Sequence, residues 1–593
     1  MIRYRPPNQE KNTMKLDKAQ IFVLVIGIAI LLGWDPVCKY MGWFQVPVAA
    51  PASAPAAPAD QSSVSADAKS PQQNASAADS KKITPAVQTA NAPAAKGIAP
   101  MKPVVVESAD LKLSIDPVSG SVLDFIVPGH KTADREGDIC LSQSLQSALT
   151  FADLNPGAYS AKPVVISARP QAIENGLILV RRLQYPDGGV IRITHQWILG
   201  KKGGNIDCKV TVTNESGHPR AFNNFGFAGG SLSTWAKVSG DKVRTPSHRL
   251  DYMTAKGKFK DVAADDDEED FNAVNGSIVE WAGVSNKYFC ILLSGAQVFP
   301  LKTTRIFLAD SKESTPVPGC AAVIPAFVLN KKNESREFSF KAYAGPKIIS
   351  ELEKFNPSAG RVMHLAWGPL DYLARLLLWI LVKIHSLGLS YGWSIIVLTL
   401  IVRLLFYPAT AKANTSMKKM QQVQPKLQAL KEQYKDDPQV MNAKMMELYR
   451  TEGVNPFGGC LPLLLQLPVF IALYTTLDGA VELRQVPFWW SPDLAGPDTV
   501  CHIPLYFYDL PVNPLVLIMT VLMIIQQHIT PMGGDPMQKK MMMWMPVVML
   551  LLFYDLPSGL TLYWSVSNLF SIIQLLIQKR GSNKAGSSEA AKQ

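Results

Sequence analysis

The sequence predicts a polytopic α-helical membrane protein that carries a large antiparallel β-domain. The chain of 593 residues is 47% hydrophobic and only 18% charged, which is more apolar and less charged than is usual for a soluble protein. Several apolar runs near the C-terminus approach the 20 residues that a bilayer requires, whereas the middle of the chain alternates β-branched and polar residues. The net charge of +11 is spread beside apolar runs, so it does not predict recognition of a nucleic-acid sequence.

The N-terminus predicts a membrane anchor followed by a tether. A basic, cytoplasmic segment, 1–18, precedes the apolar segment 19–36, which contains "AQIFVLVIGIAILLGW". An uncleaved anchor is favoured over a signal peptide because the run is slightly long and no small-residue cleavage site follows it directly, although "PASAPA" further along could serve. Residues 45–102 are almost entirely Ala, Pro, Ser, Gln and Lys, a composition that cannot bury a core and predicts a disordered linker.

Residues 103–350 predict an antiparallel β-domain. Runs such as "GLILVRRLQYPDGGVIRITHQWIL" alternate β-branched and polar residues and are punctuated by Asp-Gly and Gly-Gly. A β-sandwich is the simplest architecture for such runs. The acidic run 265–270 lacks the glycine and the spaced ligands of a calcium loop, so we expect a solvated loop there.

The sequence lacks the motifs of the common catalytic and metal sites. The seven cysteines form no CxxC pair and have no histidine at ligand spacing, which disfavours zinc and a regular disulfide framework. No Walker phosphate loop, HExxH, dinucleotide glycine pattern or nucleophile elbow occurs. An enzyme is therefore not expected, and the sequence predicts no cofactor and no metal.

Residues 364–386 predict an amphipathic helix at the outer membrane surface. Asp371, Arg375 and Lys383 fall on one side of this helix, and Leu and Trp residues fall on the other. An interfacial position is favoured over a tilted additional span because a buried Asp and a buried Lys would be costly in lipid.

Five further spans are predicted after this helix, at residues 387–407, 460–478, 513–530, 541–555 and 558–577. With the N-terminus inside, the Lys-rich loops and the tail 579–593 fall in the cytoplasm, whereas loop 479–512, with Arg484 as its only Lys or Arg, falls outside. Six spans follow, with both termini cytoplasmic and the β-domain outside. The shortest span covers about 22 Å of a core of about 30 Å, which favours local thinning of the bilayer.

The basic segment 411–456 predicts a cytoplasmic helical hairpin. Its first arm runs to about Tyr434 with a kink at Pro425, and Asp436 or Asp437 caps a second arm that starts at Pro438. Lysines and methionines are concentrated here, among them Lys418, Lys419, Met420, Met445 and Met446. Methionine fills irregular gaps between membrane helices, so ordinary packing and an adaptable surface for apolar partners both explain this composition.

One full positive charge lies inside the second predicted span. Arg403 is enclosed in the run "LTLIVRLLFYP", and a charge near the middle of a bilayer costs about 2.5 to 3.5 kcal/mol on insertion scales. Two explanations fit this residue. Either its side chain extends past Pro408 toward the cytoplasmic headgroups, or the charge has a function inside the membrane.

Several motifs on these spans carry a resemblance to a known family. "IVRLLFYP", "NPFGGCLPLLLQLPVFIALY", "GAVELRQVPF", "DPMQKKMM" and "LPSGLTLYWSVSN" occur in this order. Together they resemble the YidC group of the YidC/Oxa/Alb membrane protein insertases over about residues 364–580. "WAGVSNKYF" and "YAGPK" extend the resemblance into the β-domain. A long external domain behind an N-terminal anchor is similar to the Gram-negative members, which implies an inner-membrane location and a periplasmic β-domain.

The resemblance implies a hydrophilic groove enclosed by the five helices of residues 387–578 and open to the cytoplasm and to lipid. The candidate groove residues are Arg403, Thr399, Tyr563, Trp564, Gln466 and Gln526. The family often has a second tyrosine where this chain has Trp564, so a hydroxyl contact is not expected there. Gln466 and Gln526 would add polarity to the groove, but hydrogen bonding between helices explains them more simply.

The function implied by this resemblance is insertion and folding of nascent proteins in the inner membrane, alone or with the Sec translocon. The implied partners are nascent membrane proteins, Sec components, membrane lipids, and the ribosome or signal recognition particle through the hairpin. Two other classes stay open as alternatives. One is a Sec-associated assembly factor whose β-domain is the working part, and the other is a secondary transporter, although no repeat of helical halves is visible.

Overall fold

In a computed structural model of the chain, the described residues extend from 97 to 590. Short gaps in this description fall at residues 133–134, 136, 143–147, 155–162, 233–247, 265, 267, 308–315, 436, 455–460, 506–507 and 531–535. The predicted first anchor, 19–36, and nearly all of the predicted linker, 45–102, lie outside the described residues.

The middle of the chain forms an antiparallel β-rich domain, as the alternating sequence predicts. Its strands are β1 Val104–Glu107, β2 Lys112–Asp116, β3 Ser121–Lys131, β4 Asp138–Cys140, β5 Thr150–Asp153, β6 Val164–Ile173, β7 Gly176–Gln184, β8 Val190–Leu199, β9 Asn205–Asn214, β10 Arg220–Phe222, β11 Phe225–Ser231, β12 Arg249–Thr254, β13 Phe259–Ala263, β14 Ile278–Ser285, β15 Phe289–Phe307, β16 Pro316–Val323, β17 Phe327–Leu329 and β18 Ser335–Pro346. A separate short hairpin near residue 505 consists of β19 Cys501–Leu505 and β20 Tyr508–Val512.

Two sheets of this domain enclose its main core. A four-stranded sheet has the order β1-β2-β3-β4, and a twelve-stranded sheet follows the path β13-β12-β14-β15-β18-β9-β8-β7-β6. The long strand β15 makes the larger sheet branch, because its first half pairs with β18 and its second half with β16. Phe125 of the small sheet and Trp197 and Phe289 of the large one lie in the same buried cluster. The alternation of apolar residues thus gives each sheet one face that packs on the other.

The described part of the chain contains nine α-helices. They are α1 Glu268–Val274, α2 Ile349–Phe355, α3 Pro369–His385, α4 Tyr391–Gln433, α5 Pro438–Thr451, α6 Leu461–Gly479, α7 Pro514–Ile529, α8 Pro536–Phe553 and α9 Ser558–Ala590. Within the described residues, Tyr391–Gln433 and Ser558–Gln578 are long and apolar enough to cross a membrane, and Pro514–Ile529 and Met543–Phe553 are apolar but shorter. The helical region is therefore established, and the count of six spans stays a prediction.

The structure corrects three expectations about local elements. The second predicted span and the first hairpin arm are one helix, because α4 runs without interruption through Pro408 and Pro425. The helix at the fifth span, α8, has 18 residues and is longer than predicted, although its apolar part is only Met543–Phe553. The end of the acidic run is the first turn of α1, where negative charge is favourable beside the helix N-terminus.

The β-domain and the helical region share a hydrophobic core. Trp281, Leu292 and Tyr343 of the large sheet lie in one buried cluster with residues of α2, α3, α4, α6 and α9. Hydrogen bonds close the same junction, since Lys287 Nζ lies 2.7 Å from Asp478 Oδ1 at the end of α6. The β-domain is therefore packed directly onto the helices and is not only tethered to them.

Candidate functional site

The site is built on α4 and α9, two parallel helices that face each other in register. Three polar pairs join them, namely Arg403 with Ser567, Thr410 with Gln574, and Asn414 with Gln578. Every pair has the same separation of 164 residues along the chain. Two helices that keep one offset over three turns run side by side in the same direction, so α4 and α9 form a continuous polar seam.

Arg403 lies near the start of this seam and is bonded to a neutral partner. Its Nε donates to Ser567 Oγ at 2.7 Å, and its Nη2 donates to the same oxygen. The Arg403 side chain is half-buried, and no carboxylate forms an ion pair with it in the part of the chain that the structure describes. The guanidinium is therefore oriented by a hydroxyl group that leaves its positive charge uncompensated.

Tyr563 and Gln466 form a second polar contact close to Arg403. Gln466 Nε2 on α6 donates to Tyr563 OH on α9, and Tyr563 is 1% exposed. Tyr563 lies one helical turn before Ser567, so both side chains project from one face of α9. The structure thus brings together Arg403, Tyr563 and Gln466, three of the residues that the sequence singled out.

Thr399, Trp564 and Gln526 are placed differently. Thr399 is fully buried and its Oγ1 donates to the carbonyl of Ile395 at 2.7 Å, so its hydroxyl hydrogen is committed to its own helix. Trp564 packs in an aromatic cluster, with ring centroids 5.0 Å from Phe470. Gln526 lies on α7, and its side chain has no hydrogen bond to Arg403, Tyr563 or Gln466 among the described contacts.

Sequence reasoning missed Ser567 as a partner of Arg403. The signal was present in the motif "YWSVSN", because Ser567 follows Tyr563 by four residues and must share its helix face. A serine in a membrane helix usually bonds to its own backbone, so this spacing alone does not predict a contact with Arg403. The pairing of Arg403 with Ser567 depends on the register of α4 against α9. The sequence pattern of one helix does not contain that register.

The hairpin next to the site is formed by the second half of α4 and by α5. Asp437 caps α5 by accepting from the amides of Gln439 and Val440, which confirms one of the two predicted caps. Lys426 Nζ and Glu452 Oε1 are 2.6 Å apart and join the two arms. The predicted hairpin residues Lys419 and Met446 are exposed, and Lys418, Met420 and Met445 are half-buried.

One group in the described residues has the spacing of metal ligands, and it lies at the domain junction. It consists of Asp251, Asp261 and His364. Asp251 already accepts from Ser285 and bonds to His364 Nε2 at 2.7 Å, and Asp261 is paired with Arg249. These contacts describe an ion-pair network that joins β12 to the segment before α3.

Comparisons with known proteins identify the family. Residues 103–380 match the family model described as YidC periplasmic domain, and residues 383–585 match the model of the 60Kd inner membrane protein. A membrane protein insertase YidC of Janthinobacterium sp. (strain Marseille) is 30% identical over 582 residues, which covers 94% of this chain and 97% of that protein. The chain belongs to the YidC family of membrane protein insertases.

Other YidC relatives agree with this assignment. A membrane protein insertase YidC of Pseudomonas putida (strain GB-1) is 34% identical over 493 residues, covering 79% of this chain and 82% of that protein. A solved structure of an active YidC insertase with its first transmembrane domain resolved shares 19% identity and covers 81% of this chain and 93% of that chain, with a TM-score of 0.34. The assignment rests on the sequence matches. Members of this family are membrane insertases and not enzymes, as the sequence predicts.

Proposed function

We propose that this YidC-family chain inserts nascent proteins into the inner membrane through a hydrophilic groove between α4, α6 and α9, with Arg403 as its anion-holding group. One observation carries this proposal. The guanidinium of Arg403 is oriented by the hydroxyl of Ser567 and has no ion pair among the described residues. A charge held in this way inside a membrane protein is available to an incoming carboxylate.

The polar seam explains how such a groove would lower the barrier to insertion. Arg403, Gln466 and Asn414 are half-buried polar residues along one side of the path, and the buried Tyr563 accepts from Gln466. A hydrated path through one leaflet shortens the apolar distance that the hydrophilic tail of a substrate has to cross. Transfer then occurs in two smaller steps, with acidic residues of the tail held briefly at Arg403 between them.

The proposed topology has six spans, five of them in the insertase core, with both termini cytoplasmic and a β-sandwich in the periplasm of a Gram-negative cell. The alternating loop charges support it, because Arg484 is the only Lys or Arg of loop 479–512. Arg484 is 9% exposed and donates to the carbonyl of Lys131, so even this charge is turned toward the β-domain. YidC homologues are inner-membrane proteins with a periplasmic domain.

Two elements outside the groove would contact partners. The hairpin presents exposed Lys419 and Met446 to the cytoplasm, which suits contact with a nascent chain, the ribosome or the signal recognition particle. The helix α3 exposes Tyr372 and Trp379 while Leu377 and Leu381 pack inward, so it would lie on the outer surface of the bilayer. Sec components are the remaining proposed partners.

Insertion by the purified full-length protein in liposomes tests the proposal. The substrate is a small single-span protein with an acidic translocated tail, scored by protease protection against protein-free liposomes. Arg403→Ala should lower the rate for the acidic tail about tenfold or more, since a hydrogen bond to a charged group contributes about 1.5 to 3 kcal/mol. Arg403→Lys is the matched control and should retain most of the rate, as should Arg403→Ala with a neutral tail.

Equal loss on acidic and neutral tails would contradict the electrostatic role of Arg403. No protection above empty liposomes, with a known insertase active in parallel, would favour the assembly-factor alternative. Deleting most of residues 103–345 is a poor test of that alternative, because Trp281 and Tyr343 would leave the core that they share with the helices. Loss of growth after this deletion would follow from unfolding as easily as from a working β-domain.

A further inference from the structure

A tight turn in the loop after α6 displays two adjacent tryptophans. Phe488 and Ser491 exchange both backbone hydrogen bonds, at 2.9 and 3.0 Å, so that Trp489 and Trp490 are the two central residues. We call Phe488–Ser491 the aromatic turn. Two-residue turns of this kind are normally made of Asn, Asp and Gly, so tryptophan at both positions is not explained by the needs of the turn.

The backbone of the turn disfavours one of these tryptophans. Trp489 has a φ of 53°, in the left-handed region where a bulky side chain is an outlier. Glycine would occupy this position without strain. Tryptophan at this position costs backbone strain, and strain of this kind is concentrated at functional sites. The strain therefore points to a role for the Trp489 side chain.

The aromatic turn is fixed to the outer ends of the membrane helices. Phe488 covers the first turn of α4, where a Cβ added to Gly392 would lie 2.1 Å from its ring. Trp490 Nε1 donates to Asp498 Oδ2 at 2.9 Å, and this carboxylate also accepts from the amide of Leu515 at the start of α7. The turn therefore moves with α4 and α7 as one unit.

The rings of the turn are nevertheless exposed. Trp489 is 60% and Trp490 41% exposed, and Trp393 on α4, whose ring meets Trp489 edge to face at 6.2 Å, is 47% exposed. Buried aromatic rings stabilise a core, and these three do not lie in one. Tryptophan combines an apolar ring with one N–H donor and is concentrated where lipid headgroups meet acyl chains.

We infer that Trp393, Trp489 and Trp490 form a lipid anchor that binds the headgroup boundary of the outer leaflet and fixes the depth of α4. Arg403 follows Trp393 by ten residues, which is about 15 Å along a helix. An anchor at the boundary of a hydrocarbon core of about 30 Å thus holds Arg403 near mid-membrane. The inference rests on the part of the proposed function in which α4 spans the membrane.

Photocrosslinking to lipid tests the anchor directly. Benzoylphenylalanine is placed in the full-length protein at position 489, at position 404, or at position 105, in liposomes of phosphatidylethanolamine and phosphatidylglycerol. Leu404 is a 62% exposed residue of α4 and reports whether α4 lies in lipid, whereas Val105 is a 61% exposed residue of the β-domain. We expect lipid adducts at 489 and 404 and none at 105. Adducts at 404 without adducts at 489 would overturn the anchor, and failure at both positions would overturn the span itself.

A glycine substitution separates anchoring from folding. Trp489→Gly removes the ring and suits the backbone of the turn, so the midpoint of thermal unfolding in detergent should stay the same or rise. Insertion of the acidic-tail substrate should fall severalfold, and Trp489→Phe should retain it. A lowered unfolding midpoint in Trp489→Gly, or insertion equal to that of the unchanged protein, would contradict the anchor.

Discussion

Arg181 of the β-domain and Arg403 of the helical region are held by the fold in opposite ways. Arg181 in the β-domain is 4% exposed, donates to the carbonyls of Val118 and Ser119, and has Asp116 nearby. Burial lowers the pKa of Arg181 to about 10, and Asp116 opposes this shift. Arg403 in the helical region has one neutral hydroxyl partner. The charge of Arg181 is compensated by carbonyl groups and by Asp116, whereas the charge of Arg403 has no ion pair among the described residues.

The difference separates a charge that stabilises the fold from one that we propose is functional. A buried charge contributes to folding only when carbonyls or a countercharge replace its water. The β-domain supplies these groups to Arg181, whereas Ser567 of α9 is the only hydrogen-bond partner of Arg403 among the described residues. Four predictions follow from this contrast, and they are ordered by the size of the expected effect.

The largest effect should come from exchanging each arginine for leucine. Arg181→Leu leaves two carbonyls inside the β-domain without their donor, so the free energy of unfolding should fall by about 3 kcal/mol. Arg403→Leu removes a charge without orphaning a countercharge, so stability should be unchanged or higher. Thermal unfolding of both variants in detergent measures the difference. An equal loss in the two variants would break the comparison.

The ion pair at the junction of the two regions should give the next largest effect. Burial disfavours the charge of Lys287, but Tyr288 and Asp478 outweigh burial and raise the pKa of Lys287. Asp478→Asn should therefore lower the free energy of unfolding by about 1 to 2 kcal/mol, less than for a fully buried pair because both side chains are partly exposed. Glu337→Gln, which breaks the exposed pair with Lys209, is the control and should leave the unfolding midpoint unchanged.

A smaller effect, confined to activity, is expected at Ser567. Ser567→Ala removes the group that orients Arg403 but keeps the positive charge, so insertion of an acidic tail should slow about fivefold, corresponding to about 1 kcal/mol. Ser567→Thr retains the hydroxyl and should restore most of the rate. Neutral tails should be inserted equally by all three proteins. A drop in the unfolding midpoint of Ser567→Ala would instead assign the serine a structural role.

The last effect concerns the pH dependence of stability at Asp251, a buried carboxylate whose charge the fold compensates. Burial alone would raise the pKa of Asp251, but His364, Lys347 and Ser285 together lower it. The unfolded chain then binds this proton more tightly, so the contribution is complete above the ordinary carboxyl pKa and is lost as pH falls through the lower pKa of the folded state. Asp251→Asn should flatten this part of the pH profile of thermal unfolding. An unchanged acid slope would show that other carboxylates govern it.

The sequence predicted the elements well because local patterns determine them. Alternating β-branched runs indicated the antiparallel domain, and Asp437 before Pro438 indicated the cap of α5. Length and charge patterns also predicted the hairpin, although they divided α4 into a span and an arm. The change from apolar to basic residues marks the membrane boundary and does not interrupt the helix. The helix continues through Pro408 and Pro425 despite the hydrogen bonds that they remove.

The site could be predicted only in part, because its geometry depends on contacts between distant helices. Arg403 was conspicuous as a charge in an apolar run, and the family resemblance added Tyr563. The bond of Arg403 to Ser567 spans 164 residues and depends on the register of two helices. Thr399 donates to the carbonyl of Ile395, a bond that threonine often makes inside a helix, and spacing along one helix face does not distinguish this bond from a contact with a groove. The core shared by Trp281 and the helices was missed because each domain pattern was read separately.

The continuity of α4 has a mechanical consequence. Its 43 residues make a rod of about 65 Å that begins beside Trp393 and ends at the tip of the hairpin. Pro408 and Pro425 leave the carbonyls of Leu404 and Gln421 without their usual amide donors, so the rod bends more easily at two points, the first of them just beyond Arg403. A bend of about 5° at the first point would shift the far end, at Gln433, by about 3 Å. In the topology that we propose, a cytoplasmic partner that pulls on the hairpin therefore bends α4 next to Arg403.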